Sequence, residues 1–337
     1  MKVGLLGPVA WRTPPRHYGP WEQVVSSIAE GLVARGVDVT VFATLDSITT
    51  AKLDGVCKSG YAETPELDGR IWEALHVAHA LERSGEFDVI HNHLDWLPLA
   101  FSKHCQAPLI TTIHGFSGRG ILPAYQSARH SHFVSISNAD RAPELSYLAT
   151  VYHGIDLEAL PLSLEAGEAL VVFGRIHPDK GTAAAIDIAR RAGRRLIICG
   201  IVQDERYFRE LVLPHVDGDR VSYLGSVGPA KRAEVLGAAA ALLHPIAFAE
   251  PFGLSVVEAM ACGTPVITYP LGSMPEIIDQ GVTGFLTAGV EAAAAAVEHA
   301  VTLDRMAIRR VAERRFGAAR MVDDYLTLYA RLIASNK

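Results

Sequence analysis

The chain has 337 residues, and 31 Lys and Arg against 37 Asp and Glu give a formal net charge of −6. This length favours two globular domains, and 49% hydrophobic with 20% charged residues excludes a mainly disordered chain. The acidic balance argues against a nucleic-acid-binding protein or an anionic-membrane binder, because both need an excess of basic side chains. The four cysteines form no CxxC pair, and no apolar run reaches the ~18 residues that span a bilayer. We therefore expect a cytoplasmic protein without an integral membrane segment.

Short apolar stretches alternate with amphipathic ones in the first half of the chain. Strands are predicted at residues 2–6, 38–43, 88–91, 108–113, 133–136 and 150–152, and helices at 21–35 and 67–84. Gly36 and Gly85 follow the two helices as C-cap signals. Nearly continuous apolar strands that alternate with helices predict a parallel sheet covered on both faces.

The same alternation restarts in the second half. Strands are predicted at 169–173, 195–199, 221–224, 241–244 and 265–269, and helices at 182–192, 205–213, 230–239 and 254–261. The predicted fold class is α/β, with two tandem Rossmann-like doubly wound domains. We expect them to face a central cleft, because ligands of open α/β folds bind at the carboxyl ends of the strands.

The predicted boundaries are an N-terminal domain (1–155), a linker (156–167), a C-terminal domain (168–315) and a final segment (316–337). The final segment contains an amphipathic helix at 321–333. Its apolar residues recur at i, i+4, i+7 and i+11, and they are Met321, Tyr325, Leu328 and Leu332. Because no strand follows, this apolar stripe needs an existing surface to pack on.

The most informative segment reads AFAEPFGLSVVEAMACGTPVI. Glu250 lies in the loop before a predicted helix, and Glu258 lies in the second turn of that helix. A helix start near Gly253 leaves the amides of Phe252, Gly253 and Leu254 without intrahelical acceptors, so they can bind a phosphate or a sugar hydroxyl. Two carboxylates beside these donors suit a ligand with an anionic centre and hydroxyls at both ends, which is a nucleotide sugar.

A second segment, VVFGRIHPDKG, places two cations in the loop between a strand and a helix. Arg175 offers a planar bidentate fork and Lys180 a point charge. Together they can neutralise a diphosphate, so we expect no divalent metal.

Two weaker patterns do not change that expectation. Asp217-Gly218-Asp219 stands between a helix and a strand, where Asp-Gly is ordinary turn chemistry. His91 and His93 share one face of a strand end but lack a third ligand at a characteristic spacing. We therefore expect neither a metal nor another cofactor.

The motifs GRIHPDKG, EPFGLSVVEAMACGTPVI, GVTGFL and VYHGIDL resemble those of the retaining glycosyltransferases of glycosyltransferase family 4, which have the GT-B fold. The resemblance covers essentially the whole chain, including YGPWEQVV and TTIHG near its start. It implies metal-independent transfer of a sugar from a nucleoside diphosphate to a hydroxyl acceptor by same-face displacement. A UDP-sugar is the first expectation for the donor and GDP-mannose the second. The acceptor stays open between a small molecule, a glycan and a glycoconjugate.

The resemblance also implies roles for individual residues. Arg175 and Lys180 hold the donor diphosphate in that family. Glu258 binds the ribose hydroxyls, and Glu250 binds the transferred sugar. His114, directly after a predicted strand, hydrogen-bonds the sugar and shields charge that develops as its bond breaks. The implied catalytic set is therefore His114, Glu250, Arg175 and Lys180.

Further implied contacts come from the backbone. The main chain near Gly200 and Gly225 encloses the base, and Gly19 approaches the diphosphate. The family usually has a second glycine after this position, whereas Pro20 supplies no N–H here, so the resemblance does not extend to that amide contact. The family precedent has the segment 316–337 cross back onto the N-terminal domain. That domain carries the acceptor, and the C-terminal domain carries the donor.

Three other kinds of protein could have doubly wound domains. A nicotinamide dehydrogenase needs G-x-G-x-x-G after its first strand. This chain has GLLGP there, and Pro8 is incompatible with the helix start of that motif. A nucleotide-sugar epimerase of the same architecture stays open. A non-catalytic nucleotide-sugar-binding protein is less favoured, because binding alone would not require His114 together with the four charged residues.

Overall fold

Two compact units divide the chain. The computed structural model describes residues 1–115 and 118–335, and its first unit comprises Met1–Gly154 together with the chain from Ala318 onward. The second unit is Ile155–Gly317. Each unit is built on one parallel sheet with its own helices, which confirms the predicted α/β class with two Rossmann-like domains. No helix in the described part of the chain is long and apolar enough to cross a membrane.

The sheet of the first unit has seven parallel strands in the order β3-β2-β1-β4-β5-β6-β7. They are β1 (Lys2–Leu6), β2 (Asp38–Phe42), β3 (Lys52–Asp54), β4 (Val89–Asn92), β5 (Leu109–Ile113), β6 (Ser131–Ser135) and β7 (Tyr147–Thr150). The helices within residues 1–154 are α1 (Pro20–Val33), α2 (Gly69–Glu82), α3 (Leu97–Ala100) and α4 (Leu122–Ser127). The central strands β4 and β5 are buried along their whole length, as expected for a sheet with both faces covered.

The sheet of the second unit has six parallel strands in the order β10-β9-β8-β11-β12-β13, which is the Rossmann order 3-2-1-4-5-6. They are β8 (Leu170–Phe173), β9 (Leu196–Cys199), β10 (Val221–Tyr223), β11 (Ala241–His244), β12 (Val266–Thr268) and β13 (Gly284–Leu286). The helices are α5 (Thr182–Arg191), α6 (Glu205–Tyr207), α7 (Pro229–Ala238), α8 (Leu254–Ala261), α9 (Met274–Ile277), α10 (Gly289–Ala300) and α11 (Arg305–Phe316).

The last helix, α12 (Ala318–Ser335), completes the core of the first unit. Its four-residue apolar stripe is buried in the same cluster as Val25, Ile28 and Leu32 of α1. At the crossing of the two helices, a Cβ built on Gly31 would lie 2.5 Å from a methyl carbon of Val322. The stripe seen in the sequence therefore has its partner surface in the first unit.

The segment predicted as a linker, 156–167, lies within the second unit instead. Two arginines of α11 hold its backbone. Arg309 donates to the carbonyls of Leu157 and Leu160, and Arg305 donates to the Ser163 carbonyl at 2.6 Å. The composition of this segment is typical of linkers, but its carbonyl groups are held by two arginine side chains of α11, which the composition does not show.

Arg305→Ala is expected to lower the free energy of unfolding by about 3 kcal/mol or more, because each buried acceptor left without a donor costs about 1–3 kcal/mol. Besides the Ser163 carbonyl, the buried guanidinium donates to the Gly237 carbonyl at 2.7 Å and to Thr264 Oγ1 at 2.8 Å. Urea unfolding followed by far-UV circular dichroism measures the loss. Arg310→Ala is the matched control, since Arg310 is exposed on the same helix. Equal losses in both variants would contradict the role given to Arg305.

Candidate active site

Glycines follow three neighbouring strands at the carboxyl edge of the second sheet. Gly174 comes after β8, Gly200 after β9 and Gly225 soon after β10. The Gly200 amide donates to the Gly225 carbonyl at 2.9 Å, and a Cβ on Gly200 would lie only 1.7 Å from the Gly174 carbonyl oxygen. Only glycine permits this approach. The structure therefore brings the two predicted base-enclosing glycines together with the start of the Arg175 loop.

The loop after β8 directs its two cations to different partners. The side chain of Arg175 hydrogen-bonds to Gln203, which follows β9. The loop then forms a 3₁₀ turn, Pro178–Lys180, in which the Asp179 carbonyl accepts a hydrogen bond from the Ala247 amide at 2.8 Å. This bond ties the loop after β8 to the loop after β11, which carries Glu250.

Lys180 and Glu250 form a largely buried ion pair. Lys180 Nζ lies 2.5 Å from Glu250 Oε2, and the two side chains are 15% and 10% exposed. His244, at the end of β11, places its Nε2 3.4 Å from the same carboxylate oxygen. Burial raises the pKa of Glu250, but His244 and the Lys180 charge together outweigh it and lower that pKa to about 2. The predicted sugar-binding carboxylate is therefore anionic at neutral pH and bound to a predicted diphosphate-binding cation.

The start of α8 stands beside this ion pair. Gly253 is the N-cap residue, and its carbonyl accepts from the Val256 amide at 3.0 Å. Leu254 is the first helical residue, so its amide has no acceptor within the helix. Phe252 is buried, and its carbonyl accepts from the Ser273 hydroxyl at 2.9 Å. These contacts fix the helix start as the sequence predicts it.

Glu258 is held by a residue to which no sequence motif assigns a role. Arg232 of α7 donates to Glu258 Oε1 at 3.0 Å, and its guanidinium lies 5.1 Å from the centre of the Phe173 ring. Glu250 and Glu258 thus have separate cationic partners. Arg232 stands in the segment PAKRAE, which reads as an ordinary helix start. No sequence signal singled it out.

In the first unit, Gly19 caps α1 with φ at +150°. A Cβ at this position would lie 2.8 Å from Pro15 Cβ and 3.0 Å from Glu22 Oε2, so glycine is required. The carboxylate of Glu22 accepts from the Trp11 amide at 3.2 Å, and burial raises the pKa of Glu22 to about 7. Glu22 therefore holds the shape of the loop before α1.

His114 follows β5 and is enclosed by rings. The Trp21 ring stacks on it with centroids 5.2 Å apart. His114 Nε2 is 2.9 Å from His93 Nδ1, and His114 Nδ1 is 3.3 Å from His153 Nε2. The sequence indicates a role for His114 but none for His153, and it offers His93 only as part of a weak metal-ligand pattern with His91.

Two family models match the chain in succession. Glycosyltransferase Family 4 matches residues 21–158, and Glycosyl transferases group 1 matches residues 162–314. The chain is a family 4 glycosyltransferase of the GT-B type. The Mycobacterium tuberculosis glycogen synthase is 26% identical to it over an alignment 380 positions long. The alignment covers 93% of this chain and 88% of the relative.

Solved structures share the fold of this glycosyltransferase. Sucrose-phosphate synthase from Thermosynechococcus elongatus has a TM-score of 0.80 at 19% identity, with 99% of this chain and 100% of that chain covered. Anabaena HepE in complex with UDP and glucose has a TM-score of 0.76 at 20% identity, with 98% and 100% covered. At these identities the likeness shows the GT-B fold.

The Asp-Gly-Asp segment of the glycosyltransferase forms a turn before β10. The Asp217 carboxylate accepts hydrogen bonds from the Asp219 amide at 2.9 Å and the Val221 amide at 3.0 Å. Among residues 1–115 and 118–335, no group of three or more His, Cys, Asp or Glu side chains could hold a metal ion.

The first unit is expected to lose stability as the pH falls from 7 to 5. Five of its histidines are buried and have a lowered pKa, mainly because burial disfavours the charged ring: His76 (pKa about 4), His91, His93, His114 and His153 (pKa about 3). The unfolded chain takes up protons below ~6.5 that the native rings do not, which costs up to about 1.4 kcal/mol per pH unit for each ring. Glu22 acts in the opposite direction between its unfolded pKa and about 7, but it is one group against five.

Urea unfolding followed by tryptophan fluorescence measures this effect, because all four tryptophans lie in the first unit. We expect the free energy of unfolding to fall by at least about 3 kcal/mol between pH 7 and 5. His76→Phe should reduce the slope, whereas His130→Ala should leave it unchanged because His130 is exposed. A stability that does not change over this range would refute the assignment of neutral rings.

Proposed function

We propose that this glycosyltransferase moves a sugar from a nucleoside diphosphate to a hydroxyl acceptor, with retention of the anomeric configuration and without a divalent metal. The observation that carries the proposal is the ion pair of Lys180 and Glu250 beside the start of α8. It places a cation suited to a leaving diphosphate next to a carboxylate suited to sugar hydroxyls. The amides at the start of α8 add donors for an anionic group.

The proposed reaction is a same-face displacement. The bond between the anomeric carbon and the β-phosphate oxygen breaks, and the acceptor oxygen forms the new bond on the same face. The leaving β-phosphate oxygen takes the acceptor's proton. Lys180 and Arg175 stabilise the charge that grows on the diphosphate, which is the differential binding that lowers the barrier.

Glu250 is assigned to orient the sugar rather than to attack it. Its carboxylate is held by Lys180 and approached by His244, so its lone pairs face cationic and polar groups. With a pKa of about 2 it cannot serve as a general acid at neutral pH. It can accept hydrogen bonds from sugar hydroxyls, and we assign this role to it.

The nucleotide is assigned to the carboxyl edge of the second sheet. Glu258, held by Arg232, would accept the ribose hydroxyls, and the backbone at Gly200 and Gly225 would enclose the base. A UDP-sugar is the first choice of donor, and the complex of HepE with UDP and glucose supports it. GDP-mannose is the second choice.

Calorimetry with UDP, GDP and ADP in EDTA tests this proposal. We expect UDP to bind without a divalent ion and to stabilise the protein by about 2.7 kcal/mol at one hundred times its Kd. Product analysis with and without acceptor hydroxyls separates a transferase from an epimerase, which would convert the nucleotide sugar alone. Binding that requires Mg²⁺, or no binding of any nucleotide, would overturn the proposal.

A further inference from the structure

A continuous chain of four buried histidines runs through the first unit from His153 to His91. We call His91, His93, His114 and His153 the histidine chain. Beyond the contacts of His114 described above, His93 Nε2 lies 3.2 Å from His91 Nδ1. The chain ends on α12, because the same His91 Nδ1 lies 2.6 Å from the Tyr329 hydroxyl.

Each ring of the histidine chain is neutral at pH 7. Burial lowers the pKa of every one of them, and the neighbouring rings lower the pKa of His91, His93 and His114 further. A neutral imidazole has one N–H donor and one lone pair. Tyr329 is fully buried, and burial raises its pKa well above the usual value, so its hydroxyl keeps its proton.

Hydrogen-bond donors can be assigned along the chain from Tyr329. Its hydroxyl has no other hydrogen-bond partner than His91 Nδ1 in the described part of the chain, so it donates there. His91 Nδ1 is then the unprotonated nitrogen and accepts with its lone pair. His91 Nε2 carries the proton and donates to Thr112 Oγ1 at 2.8 Å. His93 Nε2 faces the same lone pair, and it must carry a hydrogen because two lone pairs repel.

The assignment continues to His114. With its proton on Nε2, His93 has a lone pair on Nδ1, which accepts from His114 Nε2 at 2.9 Å. His114 Nδ1 is then an acceptor, and the hydrogen on His153 Nε2 points toward it. At 3.3 Å this last contact is the longest in the histidine chain, so it is the one that a ligand hydroxyl can replace at least cost.

We propose that Tyr329 and His93 are positioning residues that fix His114 in the tautomer with its proton on Nε2, leaving Nδ1 as a hydrogen-bond acceptor. This inference rests on the proposed function, which assigns His114 to the transferred sugar. His114 then recognises a sugar hydroxyl that donates a hydrogen bond. Its lone pair, the negative end of the ring dipole, also favours the positive charge that develops at the anomeric carbon.

The tautomer can be measured directly. Protein labelled with ¹⁵N in histidine gives two-bond ¹H–¹⁵N correlations that distinguish a protonated ring nitrogen from a lone pair, and the His114→Ala spectrum assigns the signals. At pH 7 without ligand, we expect His114 to show the proton on Nε2 and the lone pair on Nδ1. A proton on Nδ1, or a doubly protonated ring, would overturn the proposal whether or not the protein is active.

Tyr329→Phe tests whether the Tyr329 hydroxyl fixes the tautomer of His114. Without its hydroxyl the chain has no fixed donor, so we expect the second tautomer of His114 to appear. The value of kcat should fall about fivefold, the scale of one hydrogen bond, while the Kd for UDP stays unchanged. The matched control is Tyr325→Phe, one turn away on α12, whose hydroxyl bonds to Thr112 Oγ1 at 2.7 Å. A His114 tautomer unchanged in Tyr329→Phe, or altered equally in both variants, would remove Tyr329 from this role.

Discussion

Lys180→Ala is expected to weaken UDP binding about 10- to 100-fold and to lower kcat further. A charge-assisted hydrogen bond contributes roughly 1.5–3 kcal/mol, and 1.4 kcal/mol corresponds to a factor of ten. In the proposed reaction the negative charge on the leaving diphosphate grows toward the transition state. Loss of Lys180 therefore destabilises the transition state more than it destabilises the bound donor. Calorimetry with UDP measures the loss of binding, and initial rates measure the loss of kcat.

The same substitution removes the cation from a buried carboxylate. In the described part of the chain, the Glu250 carboxylate would then keep the approach of His244 without the Lys180 charge, so its pKa should rise and the second unit should lose stability. Lys180→Ala combined with Glu250→Gln separates this effect from the loss of binding in a double-mutant cycle. Lys231→Ala is the control, because Lys231 is exposed and pairs with Glu234. If Lys180→Ala bound UDP as the native protein does, Lys180 would not contact the diphosphate.

His114→Ala is expected to lower kcat on the order of 10²-fold, the scale for losing one preorganised group. The Kd for UDP should stay within about threefold of the native value, which corresponds to a change in binding free energy of about 0.6 kcal/mol. The reason is that we assign His114 to the sugar and not to the nucleotide. Initial rates with calorimetry on the free nucleotide test both values.

A control is needed because His114 is buried and contacts three other rings, those of Trp21, His93 and His153. Tryptophan fluorescence during urea unfolding reports whether the first unit of His114→Ala still folds. His114→Gln is a second variant, which keeps polar side-chain atoms at this position. Loss of UDP binding in a folded His114→Ala protein, together with unchanged binding in Lys180→Ala, would reverse our assignment of the two residues.

The fold was predictable where apolar residues follow a clear strand or helix pattern. The strand at 2–6 and the helix at 254–261 agree with the structure residue for residue. The three-residue edge strand β3 was missed because its residues, Lys52–Asp54, carry two charges and too little apolar pattern. The helix α11 was missed because RMAIRRVAERRF reads as a solvated segment, although Arg305 is buried.

The candidate site was predictable only as a set of positions in the chain. Motifs placed Lys180 and Glu250 in loops and Glu258 in the second turn of a helix, and the structure has them there. Which side chains pair depends on loops that are distant in sequence, so the contacts of Lys180 with Glu250 and of Arg232 with Glu258 could not be read from spacing. The histidine chain was invisible for the same reason.

Metal-independent transfer with retention can be tested without a known acceptor, because slow hydrolysis of the donor releases the sugar to water. The probe is whichever of UDP-glucose, UDP-galactose and GDP-mannose binds most tightly in calorimetry, incubated with the enzyme in EDTA. Proton NMR identifies the anomer released before mutarotation mixes the two forms. We predict that the α-sugar appears first. Release of the β-sugar first would contradict retention, and no release until Mg²⁺ is added would contradict a metal-independent reaction.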